Sequence, residues 1–102
     1  MRTIWKYRVR ASDTFTHKIP LGARFLSVQT QKGDPQMWFT VETNNQLEER
    51  RFFVAGTGQE IPQDLFIVSD YLGTFQLSDG ALVFHLFEVL SSAGALLKTL
   101  GW

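Results

Sequence analysis

Apolar and polar residues alternate with a period of two along most of this chain, and turn formers interrupt them about every eight to twelve positions. That pattern predicts short antiparallel strands. In the first segment Thr3, Trp5, Tyr7 and Val9 share one face, while Arg2, Ile4, Lys6, Arg8 and Arg10 share the other. A strand with one wet side follows. Ala11-Ser12-Asp13 reads as a turn. Phe15, His17 and Ile19 then alternate with Thr16 and Lys18 until Pro20 and Gly22. Residues 23–30 read as a third strand, with Phe25, Ser27 and Gln29 opposite Leu26, Val28 and Thr30. The turn Gln31-Lys32-Gly33-Asp34-Pro35 leads into a fourth, where Met37, Phe39 and Val41 alternate with Trp38, Thr40 and Glu42. Residues 43–46 read as a hairpin loop into a fifth strand over 47–55.

Gly56-Thr57-Gly58-Gln59-Glu60 breaks the alternation. Residues 61–72 carry two patterns. Ile61, Leu65, Val68 and Leu72 have helical spacing with Pro62 suited to a first helical position, whereas Phe66-Ile67-Val68 suits a strand. A short helical turn or an irregular loop is expected there. Residues 71–77 and 81–88 predict a hairpin around Asp79-Gly80, and its second arm is apolar on both faces, as in a strand covered on both sides. In the tail, Val89, Ala93, Leu96, Leu97 and Leu100 recur at helical spacing, with Ser91 or Ser92 to begin a helix and Gly101 to end it. The expected fold is therefore all-β and mainly antiparallel. It is a barrel or sandwich of about six to eight short strands over residues 1–88, with a short C-terminal helix in an apolar tail over 89–102. That tail holds one charge, Lys98, and must be covered by its own domain or by a second copy. Leu96, Leu97, Leu100 and Trp102 would carry the contact in a two-fold dimer.

Composition narrows the function classes. A length of 102 residues fits one domain, and 44% apolar residues with nine Phe and three Trp exceed what a disordered chain carries. No apolar run approaches the roughly 20 residues of a membrane helix, and the opening residues lack a signal-peptide core. A soluble, cytoplasmic protein is expected. The lack of Cys removes disulfides, thiolate nucleophiles and Cys-based metal sites, and two His make a poor ligand set. No cofactor or metal is expected. Net charge is zero but uneven. Residues 1–51 hold nine Lys/Arg against five Asp/Glu, so +4, and residues 52–102 hold one against five, so −4.

The chemistry-bearing candidates are few. Arg2, Lys6, Arg8 and Arg10 make a cationic row suited to an acidic partner, although the same row serves as a solvated strand face. Trp5 and Tyr7 point away from that row, which lowers base stacking and hence a nucleic-acid partner. Trp38 has only Thr40 and Glu42 beside it on its face, which suits an interaction hot spot, although a Trp packed under a loop is the more ordinary outcome. Gly56-Thr57-Gly58 is a candidate anion or ligand loop, though it lacks the P-loop continuation and a turn needing positive dihedrals explains it as well. His85 reads as a structural, hydrogen-bonded imidazole. Arg50 and Arg51, beside Glu48 and Glu49, read as a local salt-bridge patch. No nucleophile and base, and no ligand cluster, stand out, so an enzyme is not expected.

The segments Ile4-Trp5-Lys6-Tyr7, Leu26-Ser27-Val28-Gln29, Gly56-Thr57-Gly58, 71–77 and 80–88 together resemble a family of short bacteriophage and prophage proteins that forms a domain of unknown function. The resemblance covers residues 1–88. The stretch between Pro62 and Tyr71 is longer than usual, and the tail extends past the usual end. The resemblance implies action inside a bacterial host but supplies no site residues. The expected function is a non-enzymatic phage protein that binds a host or phage macromolecule, such as an inhibitor of a bacterial defence system. The alternative is a small-ligand barrel that binds a nucleotide or another anion.

Overall fold

The computed structural model describes residues 1–11 and 14–90. Seven strands form over those residues: β1 (Arg2–Arg8), β2 (Thr14–Pro20), β3 (Arg24–Gln31), β4 (Asp34–Glu42), β5 (Leu47–Gly56), β6 (Ser69–Leu77) and β7 (Leu82–Val89). A single helical turn, α1 (Gln63–Phe66), precedes β6. The strands make two sheets with all neighbours antiparallel. Sheet A has the order β1-β4-β3 and sheet B the order β2-β5-β7-β6.

Alternation decides which side chains meet. On β4, Met37, Phe39 and Val41 point into the sandwich while Trp38, Thr40 and Glu42 point out. From sheet B, β2 brings Phe15 and Ile19, β5 brings Phe52 and Val54, and β7 brings Leu86 to the same layer. Phe39 and Phe52 meet edge to face at 6.2 Å, and both are fully buried. A second, smaller core lies on the other side of sheet B, where Phe53 and Phe87 stack at 4.8 Å beneath Leu65, Ile61 and Val68. Sheet B is thus covered on both faces along β5 and β7, which accounts for the doubly apolar β7. The outer face of sheet A has no such layer among the described residues.

Turn chemistry pins two registers. Lys32 and Gly33 both have positive φ, 51° and 84°, which gives the two-residue β3–β4 hairpin the twist of its strands. Ser78, Asp79 and Gly80 are also left-handed and close the β6–β7 hairpin.

Several expectations need correction. The sheets do not close into a barrel; they form an open sandwich. Residues 43–46 are not a hairpin loop, because β4 pairs with β1 and β3 whereas β5 pairs with β2 and β7. The segment is an arch between sheets, held by Asn45 Nδ2 donating to Leu21 O and by Leu21 N donating to Gln46 O, at 2.9 and 2.8 Å. In β3 the plain alternation fails at a bulge between Phe25 and Ser27. The extra residue lets both Phe25 and Val28 face the core. β7 continues through Val89, which is buried and paired with Arg51 and Ser69, so Val89 belongs to the sheet and not to the tail stripe. Residues 61–72 hold the expected helical turn, but only over four residues, with Pro62 at the position before it. The expected C-terminal helix, with Leu96, Leu97, Leu100 and Trp102, lies outside the described residues. No helix among the described residues is long and apolar enough to cross a membrane.

Candidate functional site

The uncovered face of sheet A gathers most of the candidate binding residues. The β1–β4 register sets Arg2 opposite Glu42, Ile4 opposite Thr40, Lys6 opposite Trp38 and Arg8 opposite Gln36. The β4–β3 register adds Arg24 beside Thr40, Ser27 beside Trp38 and Gln29 beside Gln36. Trp38 is therefore central, half-buried by its neighbours on both strands. Ile4 and the bulged Leu26 flank it as exposed aliphatics, 56% and 49% accessible. Cations surround this apolar centre, and long stems let them lie over the sheet. Lys6 Nζ donates to Gln31 Oε1 across β4 at 2.8 Å. Arg8 reaches the Asp34 carboxylate only at 3.5 Å, and Arg2 reaches Glu42 at 3.7 Å. The Met1 amine, hydrogen-bonded to Glu42, holds that carboxyl below its usual range, with Arg2 adding to the effect. Four cationic side chains (Arg2, Lys6, Arg8 and Arg24) and the Met1 amine face two carboxylates (Asp34 and Glu42) here, a positive balance.

Arg10 separates from the row. β1 ends at Arg8, the buried Val9 anchors the chain through its N–H to Pro35 O, and Arg10 turns toward β2 and His17. Tyr7 packs against the core, as the alternation required, whereas Trp5, opposite Phe39 on the same side of the sheet, stays exposed. The alternation placed Ile4 on this face, but not Arg24 and Leu26. Their signal in sequence is weak, because the bulge resets the phase of β3 and a cross-strand neighbour is not a sequence neighbour.

The Gly56-Thr57-Gly58 loop stands elsewhere, at the end of β5. Gly58 has φ of 87°, which a side chain would oppose. The Thr57 amide donates to Val83 O, the Gln59 amide to Gly56 O, and the Gly56 amide to Gln59 Oε1. These donors are engaged within the protein. The Thr57 hydroxyl shares a 2.7 Å hydrogen bond with His85 Nε2, while Thr74 Oγ1 takes the other ring nitrogen at 2.8 Å and also meets the Tyr71 hydroxyl. His85 is thus held at both nitrogens, the structural role expected of it. Among the described residues, no three His, Asp or Glu side chains converge as metal ligands.

Between the sheets, Arg50 does not pair with Glu48 or Glu49 as the local reading had it. Its side chain points inward, like that of Phe52 two residues on. It makes a bidentate bridge to Glu88 at 2.6 and 2.8 Å and donates to Ala23 O at 2.7 Å. The guanidinium also lies 5.0 Å from the Phe39 ring centre. The Glu88 hydrogen bond pushes the Arg50 pKa up against the opposing effect of burial. The partner could not be read locally, because β7 enters beside β5 only through tertiary topology.

No curated protein and no solved structure matches the chain. A family model does match, over residues 1–95, and so takes in β7 to its end together with the first residues of the tail. With all seven strands inside that match, the chain belongs to the family described as Domain of unknown function (DUF7352).

Proposed function

We propose that this protein is a binding protein that engages an acidic protein surface through the outer face of sheet A. One observation carries the reading: Trp38 sits at the centre of the one sheet face without a covering layer among the described residues, next to Lys6 and inside a ring of arginines. An apolar centre with a charged rim is the anatomy of a protein interface, and Trp and Arg are the residues that dominate binding energy there. The rim cations are spent on weak, solvent-exposed contacts, which a partner's carboxylates can replace at little cost. Ile4 and Leu26 beside a single aromatic suit a protein better than a single-stranded nucleic acid, which needs several stacking platforms.

The finer form of the proposal follows from the phage resemblance. The partner is then a host or phage protein in the bacterial cytoplasm, and a component of a defence system is the first class to test. That setting is an argument by analogy of family, not of site.

The test compares captured partners for the wild type, Trp38→Ala and Lys6→Glu/Arg24→Glu. A specific protein held by the wild type should bind Trp38→Ala about 30-fold more weakly, the cost of losing one interface anchor. Its association should also slow as salt rises. Capture that is equal for all three proteins would overturn the proposal. So would Trp38-dependent binding of single-stranded oligonucleotides with no protein bound.

A further inference from the structure

The two sheets meet differently along their two seams. On the β3–β6 side they are drawn together: Thr30 Oγ1 donates to Gln76 O at 2.6 Å, and Gly73 brings its backbone against Val28. On the β1–β2 side they part beyond the end of β1. A cavity of about 440 Å³ opens there, lined by Arg8, Arg10, Phe15, Thr16 and His17. We propose that this cleft binds a phosphate monoester carried by a small molecule, with Arg10 as its principal anchor.

The lining makes the case. Among the described residues the cavity is lined by two arginines, a threonine and two aromatic rings, and by no carboxylate. A low-dielectric wall behind like charges concentrates their field on the cavity. A cation would be repelled, and an apolar ligand would have to desolvate both guanidiniums. The Arg10 guanidinium, with that of Arg8 free to turn from its weak contact with Asp34, offers forked donors that suit the three free oxygens of a phosphate monoester better than the two of a carboxylate. The volume falls within the range of small-ligand sites and leaves room for more than the phosphate itself.

The walls are fixed before any ligand arrives. His17 Nε2 lies 2.7 Å from Arg8 O, and because a carbonyl can only accept, Nε2 carries the proton. This bond bridges the seam and sets the ring. Phe15 is clamped by stacking on Phe52 at 5.5 Å and meets the His17 ring edge-on at 5.7 Å. Val9, buried and bonded to Pro35 O, fixes the backbone from which Arg10 projects. The Arg8 side chain is solvated and holds Asp34 only at 3.5 Å, so turning toward a bound anion costs it little. The ligand's remainder would pack on the rims of Phe15 and His17. The site differs from the glycine loop expected in the sequence, whose Gly56 and Thr57 amides are engaged.

The test is calorimetric titration of the full chain at low ionic strength with inorganic phosphate and, separately, adenosine monophosphate. One saturable site is expected, with the nucleotide tighter if the aromatic rims hold its ring and equal to phosphate if they do not. Arg10→Ala should weaken binding at least about tenfold, the loss of one charge-assisted contact. Arg10 is exposed, so the variant should keep its fold, checked by circular dichroism. Trp38→Ala should bind the ligand like the wild type, which separates this site from the sheet A face. Three results would overturn the proposal: no saturable heat below about 10 mM ligand, Arg10→Ala binding unchanged, or sulfate matching phosphate in every variant.

Discussion

The Tyr7 hydroxyl is buried beside the core with no hydrogen-bond partner among the described residues, while its ring packs edge-on to Phe39. Burial raises its pKa above the ordinary value, and the positive Arg50 opposes the rise. The unfolded chain therefore loses this proton first. The contribution of Tyr7 to stability is intact below pH about 10 and falls as pH rises through the folded-state value. Tyr7→Phe should remove an unsatisfied polar atom, leaving stability at pH 7 unchanged or raised by about 1 kcal/mol. The variant should also lose less stability than the wild type between pH about 9 and about 11. Urea titrations at both ends of that range measure it. Arg50 and Glu88 are the complementary case, a nearly enclosed pair whose polar groups are satisfied. Arg50→Met should cost about 3 kcal/mol, toward the low end for a broken buried pair because both side chains keep some exposure, 15% and 18%. Arg50→Met with Glu88→Leu should recover most of the loss, since the desolvation of an unpaired carboxylate disappears. The row Arg2, Lys6 and Arg8 was legible in the sequence because it lies on one strand. The placement of Trp38 against Lys6 was not, because it depends on β1 pairing with β4.

At the level of strands, the turns and alternation were legible and the bulges were not. The hairpin turns at Lys32-Gly33 and Ser78-Asp79-Gly80 carry their own dihedral preferences, so local chemistry announces them. A bulge depends on what lies opposite. In β3 it serves to turn Phe25 and Val28 inward together, and in β6 the shift between Tyr71 and Gly73 lets Leu72 pack on the main core. Gly73 has a further task at the seam. A Cβ there would stand 2.7 Å from Val28 Cγ1, which is too close for any real contact, and the packed, branched Val28 has little room to yield. Gly73→Ala should therefore destabilise by about 1–3 kcal/mol through overpacking. Adding Val28→Ala should make the double variant more stable than the sum of the two single losses predicts, the coupling expected of residues in contact. Thermal or urea unfolding of the four proteins gives the coupling energy directly.

For the whole molecule, the decisive feature is that consecutive strands do not all pair. β1 and β2 lie in different sheets, as do β3 and β2, and β4 and β5; only the β3–β4 and β6–β7 hairpins join neighbours in sequence. Among the described residues, both hydrophobic cores are built from positions up to Val89. Deleting residues 91–102 should accordingly leave the β-sheet circular dichroism signal in place. Phe66, Ile67, Tyr71 and Leu90 stay exposed where the chain leaves β7. With the apolar pattern of the tail, this predicts a dimer for the full chain and a monomer after deletion. Sedimentation velocity at high concentration reads the outcome, and a monomeric full chain would remove the dimer.

The sequence by itself determined that the chain is β, where most strands begin and end, how the two faces of β1, β2 and β4 divide, and that β7 is covered on both sides. These properties follow from period-two alternation and from turn residues, and both are local. Tertiary structure decided which strands are neighbours. That choice placed Trp38 among the β1 cations, gave Arg50 a partner on β7, sent Arg10 away from the row to the β1–β2 seam, and left the sandwich open. The reason is physical. An apolar strand face is stabilised by burial against almost any other apolar face, so the hydrophobic pattern says that a face is buried but not against what. The partner is selected by close packing, bulges and hydrogen-bond satisfaction summed over the whole chain, and none of these is written in a single segment.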